Sequence, residues 1–96
     1  MTLLDDAEVA RRLDALHGWS REGREIRKTF RFQSFRDAIA FVVRVAELAE
    51  HADHHPDIDI RYDRVTLALS THSAGGLTAR DFELAGSVEA AESAGS

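Results

Sequence analysis

Apolar positions along the chain switch between two periods, and each switch marks an element. Val9, Leu13 and Leu16 fall at the spacing of one buried helical face. They predict a first helix that begins at Asp5 or Asp6, either able to cap it, and runs to about Leu16. Gly18 tolerates the left-handed conformation and ends it, and Trp19 then anchors the helix to a sheet. From Arg24 to Phe32 the period becomes two. Ile26, Phe30 and Phe32 alternate with Glu25, Arg27, Thr29 and Arg31, the pattern of a half-buried antiparallel strand. Lys28 intrudes on the apolar side, which an edge strand tolerates. Residues 18–22 supply a short partner strand, turning at Gly23.

Ser34, with Asp37 three residues on, opens a second helix. Phe35, Ala38, Ile39, Val42, Val45, Ala46 and Ala49 form its apolar stripe, with Phe41 and Val43 outside it. That width predicts a second buried contact, such as another subunit. Pro56 stops the helix at or before His55. Ile58, Ile60 and Tyr62, then Val65, Leu67 and Leu69, predict two strands joined by a two-residue loop at Asp63-Arg64. His72 shares the parity of Thr66, Ala68 and Ser70 and so projects away from the Val65–Leu69 face, ahead of a flexible loop over 73–76. A last helix starts at Thr78, with Asp81 at the capping-box position and Leu77 and Phe82 placed as a hydrophobic staple. Phe82, Ala85 and Val88 face the core, Gly86 and Ser87 weaken the helix, and residues 92–96 read as a frayed tail. With no repeat and no linker, the expected fold is one α+β domain over residues 1–96, in the order helix, strand, strand, helix, strand, strand, helix.

Composition narrows what such a domain does. With 96 residues, 44% of them apolar, a single core is possible, and chains this small often gain stability by self-association. The net charge of −5 argues against nucleic acid as a partner. Arg24, Arg27, Lys28 and Arg31 are split between two faces and read as a solvated strand edge. The sequence has no cysteine, which excludes disulfides, thiolate nucleophiles and Cys-ligated metals and fits a reducing cytosol. The longest apolar run, Ala38 to Val43, is far too short for a membrane span, and acidic Asp5 and Asp6 are the opposite of a signal peptide's basic start. A cytoplasmic protein is expected.

Three of the 5 histidines, His51, His54 and His55, crowd the end of the second helix with Glu47, Glu50, Asp53 and Asp57. If the helix persists through its last turn, Glu50 and His54 share one face, as do Glu47 and His51. Helix support and the helix dipole account for a single such pair. They account less well for adjacent His54 and His55, which repel when both are charged. His51, His54, His55, Asp53 and Asp57 offer nitrogen and oxygen ligands to a divalent ion. However, no His-Glu-x-x-His is present, and adjacent imidazoles point apart, so no native metal is expected. Acid–base catalysis by His54, His55 and His72 is the stronger reading, with Glu50 and Asp81 as carboxylates that fix an imidazole's tautomer. For Asp81 two roles stay open, helix cap and site residue, and both can hold. Tyr62 reads as strand packing. Thr71 and Ser73 flank His72 without a nucleophile elbow, and Gly75-Gly76 alone makes no phosphate loop. Proton transfer without a covalent intermediate remains.

The series Glu50, His54, His55, Pro56, Tyr62, His72 and Asp81, at these spacings, resembles the signature of the pterin-4a-carbinolamine dehydratases. Gly18-Trp19, the run Lys28-Thr29-Phe30-x-Phe32-x-x-Phe35, and Thr71-His72-x-x-x-Gly76-Leu77-Thr78-x-x-Asp81 extend the likeness over the chain from about Asp6 to Val88. Only Asp63, where the family more often has asparagine, departs from it. The resemblance implies a cofactor-independent dehydration of the 4a-hydroxytetrahydropterin released by aromatic amino-acid hydroxylases, giving the quinonoid dihydropterin for recycling. It also implies a four-stranded antiparallel sheet with helices on one side, assembled as a homodimer or homotetramer. Carried over residue by residue, it makes His54 and His72 the acid–base pair and His55 the residue that holds the pterin ring. Glu50 orients His54, Asp81 acts near His72, and the backbone from Thr71 to Ser73 faces the pterin's amide edge. Some animal members also serve as dimerisation cofactors of a homeodomain transcription factor, for which nothing in this sequence speaks. Two rivals stand beside this reading: a non-catalytic interaction module, and action on another pterin such as a molybdopterin precursor.

Overall fold

The computed structural model describes residues 2–95. Helix α1 (Asp6–Asp14) is followed by strands β1 (Ser20–Glu22) and β2 (Glu25–Arg31), helix α2 (Phe35–Ala52), strands β3 (Asp57–Arg61) and β4 (Arg64–Leu69), a 3-10 turn (His72–Ala74) and helix α3 (Ala79–Gly95). The strands form one antiparallel sheet in the order β1-β2-β4-β3, with the helices on one face. This is the expected α+β architecture and element order. Among the described residues, no helix is long and apolar enough to cross a membrane.

Asp5 caps α1 by accepting from the Glu8 amide at 2.8 Å. The helix stops at Asp14, short of Leu16, yet Val9 is buried and Leu13 and Leu16 still pack on the core. Gly18 has φ +84°, a backbone conformation that favours glycine, and a Cβ there would lie 3.0 Å from Lys28 Cε, so the lysine side chain would have to shift. Trp19 is buried edge-on to Phe30, centroids 6.2 Å apart. Lys28 is not at an edge, because β2 lies between β1 and β4. Its ammonium instead leaves the apolar face by pairing with Glu89 at 2.8 Å and with the His17 carbonyl at 2.8 Å, above the Phe30 ring. The charge is compensated rather than solvated.

The buried face of α2 is Ala38, Phe41, Val45 and Ala49. Phe41, which the periodicity leaves outside the stripe, is 1% exposed, whereas Phe35, placed inside it, is 51% exposed. A stripe this wide does not fix its own rotation. The Phe30 and Phe32 rings fix it, at 4.7 and 5.0 Å from Phe41.

The β3–β4 turn falls one residue earlier than expected. Arg61 pairs with Arg64, so Tyr62-Asp63 form the loop, with Tyr62 at φ +54° and exposed rather than packed in a strand. Either loop places Ile58 and Ile60 opposite apolar partners, so alternation cannot choose between them. The Phe32 amide donates to the Asp63 carbonyl at 2.8 Å and ties the turn to the end of β2. Every residue of β3 is exposed, including Ile58 and Ile60, and the strand forms an edge of the sheet.

In α3, Phe82, Leu84, Ala85 and Val88 are buried with Leu77 in the core cluster. Gly86 and Ser87 do not interrupt it, and the helix includes residues 92–95, where a frayed tail is expected. Ser96 lies outside the described residues.

Candidate active site

Helix α2 ends at Ala52, before His55 as Pro56 requires, and so stops short of the turn that would put Glu50 and His54 on one face. Asp53 adopts a left-handed conformation (φ 51°, ψ 45°), with its amide bonded to the Glu50 carbonyl at 3.2 Å and the His54 amide to the Ala49 carbonyl at 3.0 Å. That pair of bonds is a Schellman motif with aspartate where glycine is usual. The chain turns at Asp53, and the two histidines that follow separate. His54 faces inward and is 8% exposed; His55 faces outward.

The antiparallel β3–β4 pair brings the other elements to the same place. Asp57 lies opposite Ala68, so residues before β3 and after β4 emerge at one end of the hairpin. There the chain leaves β4 through Thr71, whose amide donates to the Gly76 carbonyl at 2.8 Å across an isolated bridge. The Thr71 carbonyl accepts from Ala74 and Gly75 at 3.0 Å each, and Gly75 closes the turn at φ +78°. Residues 73–76, expected to be a flexible loop, are therefore a hydrogen-bonded turn. His72 opens it and Ser73 follows, both exposed.

Helix α3 supplies the carboxylate that joins these pieces. Asp81, 0% exposed, meets His54 Nε2 through Oδ1 at 2.6 Å. Its Oδ2 accepts from the Thr71 hydroxyl and from the Thr78 amide, each at 2.9 Å. The Thr71 and Thr78 hydroxyls are 2.8 Å apart, and Thr78 Oγ1 accepts from the Arg80 amide at 3.3 Å. Because each hydroxyl has one proton, the direction is set: Thr78 donates to Thr71, and Thr71 to Asp81. A carboxylate acts here as acceptor, so His54 carries its proton on Nε2. Nδ1 is left with no protein partner among the described residues.

Two of the pairings expected from the sequence change partners. Glu50 binds His55, Oε2 to Nε2 at 2.5 Å, and not His54. Asp81 binds His54 and reaches the His72 turn only through Thr71. Both changes follow from the turn at Asp53, which removes His54 from the helical face of Glu50. Asp81 is a helix cap, as its spacing from Thr78 indicates. Periodicity marks Thr78 as a cap but not as a member of this network, because hydroxyl-to-hydroxyl contacts leave no sequence period.

A hollow of about 580 Å³ lies at the end of α2 away from the histidines, lined by residues including Phe32, Asp37 and Arg44. Another of about 580 Å³ runs along the exposed side of α2 past Val43, Glu47, Glu50 and His51, and adjoins the Glu50–His55 pair. Among the described residues, no three His, Asp or Glu side chains gather as metal ligands.

Comparison with known proteins gives the context. The family model for pterin 4 alpha carbinolamine dehydratase matches residues 2–91. A protein of Roseiflexus castenholzii bearing the pterin-4-alpha-carbinolamine dehydratase name is 64% identical over 91% of this chain and 94% of its own. The crystal structure of a transcriptional coactivator/pterin dehydratase from Brucella melitensis superposes with a TM-score of 0.89 at 35% identity, covering 93% of this chain and 97% of that one. A pterin dehydratase-like protein identified as a RuBisCO assembly factor in the alpha-carboxysome superposes with a TM-score of 0.66 at 27% identity, over 77% and 88%. With the family model spanning nearly the whole chain and the fold shared, the protein belongs to the pterin-4a-carbinolamine dehydratase family.

Proposed function

We propose that the protein dehydrates a 4a-hydroxytetrahydropterin to the quinonoid dihydropterin by histidine acid–base catalysis. The observation that carries this reading is the buried His54–Asp81–Thr71 network, with His72 and His55 exposed beside it. In the reaction an acid protonates the 4a-hydroxyl and the C–O bond breaks. The lone pair of the adjacent ring nitrogen forms the new double bond, and a base takes that nitrogen's proton. One proton is given and one taken, with water as the only other product. His54, held through Nε2, offers Nδ1 for one transfer, and His72 serves the other. Each transfer contributes on the order of 10²–10⁴ in rate. His55, steadied by Glu50, holds the pterin ring. The Thr71 amide and carbonyl and the His72 carbonyl are already engaged in the turn, so the His72 amide and the Ser73 backbone are the part left to face the pterin's amide edge.

The proposed setting is a cytoplasmic homodimer or homotetramer whose substrate comes from an aromatic amino-acid hydroxylase. Exposed Ile58 and Ile60 on the β3 edge, and Val43 on α2, support self-association. Light scattering at micromolar concentration should give a multiple of the 10.6 kDa chain mass.

The test of activity is the ultraviolet absorbance decay of freshly generated 4a-hydroxytetrahydropterin, with wild type and a His54→Ala/His72→Ala variant. Acceleration that the variant loses is expected; decay at the spontaneous rate with wild type would overturn the proposal. The likeness to a RuBisCO assembly factor favours one second reading, a non-catalytic interaction module. Its signature would be partner binding that excludes self-assembly, without turnover. Other pterins, including a molybdopterin precursor, belong in the same assay.

A further inference from the structure

Arg80 stands in an electrostatically poor place for its own helix. It is the second residue of α3, where the positive end of the helix dipole disfavours a cation. Its guanidinium instead reaches back to the last turn of α2, where Nη2 donates to the Ala52 carbonyl at 3.0 Å and also to the Asp53 carbonyl. The Schellman bonds satisfy the Ala49 and Glu50 carbonyls of that helix end and leave the Ala52 carbonyl to another donor. Arg80 supplies it and places a cation at the negative end of α2. The Asp53 carbonyl it also holds belongs to the peptide unit that leads into His54. The next residue on α3, Asp81, grips the His54 ring. Consecutive side chains of one helix turn thus hold the backbone before His54 and the imidazole itself.

We propose that Arg80 is a positioning residue for the dehydratase reaction: it fixes the left-handed turn at Asp53, and through it the orientation of the His54 imidazole on Asp81. The proposal rests on the dehydratase reading for its kinetic consequence, though not for its structural one. A group held this way works by orientation, and a displacement of about 1 Å can lower turnover on the order of 10²-fold. Arg80 touches no part of the proposed pterin site, so its loss should fall on kcat and leave KM nearly unchanged.

The experiment pairs steady-state kinetics of Arg80→Gln with 15N-edited NMR of the histidine rings. The expected result is kcat lowered about tenfold, KM within about twofold of wild type, and His54 ring nitrogen signals displaced from their wild-type positions in the folded variant. Arg80→Lys, which keeps the cation without the planar fork, should recover part of both. Wild-type kcat, or a loss that merely follows the folded fraction while the His54 signals stay in place, would overturn the proposal. If Arg80→Gln does not fold, the same two readouts on Arg80→Lys decide, with an intermediate kcat and displaced His54 signals supporting it and wild-type values overturning it. Failure of the wild-type protein to accelerate dehydration would remove the dehydratase reading and leave the NMR to decide the role of Arg80.

Discussion

His54 and His55 are consecutive, and each meets a carboxylate through Nε2, yet the two pairs live in different solvents. The side chains of His54 and Asp81 are 9% and 0% exposed; those of His55 and Glu50 are 56% and 76% exposed. In the inner pair the carboxylate is itself held by a hydroxyl and a backbone amide, so the imidazole has one orientation and a defined tautomer. In the outer pair, water competes for both partners, and the contact is weaker and sensitive to salt. Under the proposed dehydration, chemistry that needs a fixed proton would fall to the inner pair and adaptable contact with the ligand to the outer one.

Substitutions should separate the pairs by orders of magnitude. His54→Ala is expected to lower kcat on the order of 10²–10⁴-fold, measured by the same absorbance decay. Asp81→Asn comes next. It replaces one carboxylate oxygen by an NH2 donor, so that if the remaining oxygen keeps the Thr71 and Thr78 bonds the His54 Nε2–H faces a donor, for a turnover loss of about 10²-fold and a stability loss of about 3 kcal/mol by urea unfolding. Thr71→Val deletes one hydrogen bond to Asp81 and strands the Thr78 hydroxyl, which should cost about 2 kcal/mol in the same titration. His55→Ala is expected to act mainly on KM, with kcat within about tenfold of wild type. A kcat collapse at His55 with a KM rise at His54 would reverse the assignment. Glu50→Gln should change stability by less than about 0.5 kcal/mol, and a loss like that of Asp81→Asn would show that the outer pair is not the solvated contact described here.

The alternation of periods was enough to read the order of helices and strands, because burial on one face imposes it residue by residue. It failed where two arrangements satisfy it equally. Moving the hairpin loop from Asp63-Arg64 to Tyr62-Asp63 keeps Ile58 and Ile60 opposite apolar residues of β4. Likewise, the apolar girth of α2 accepts Phe41 inward as readily as Phe35, until the rings of β2 choose. The histidines and Asp81 were legible as titratable groups near a helix end. Their partners were not, because one residue in left-handed backbone, Asp53, decides which ring faces which carboxylate. Aspartate at that position carries no glycine-like signal. Arg80 was silent for a related reason: its two acceptors are backbone carbonyls, and carbonyls have no letter in a sequence.

The one-way hydroxyl chain from Thr78 to Thr71 to Asp81 has a consequence that needs no substrate. Thr71 and Thr78 are 2% and 1% exposed, so their hydroxyl protons can exchange with solvent only when the first turn of α3 lifts from the strand end. Slow-exchanging hydroxyl resonances in the resting protein would then time the opening of the site directly, as amide exchange times the opening of a core.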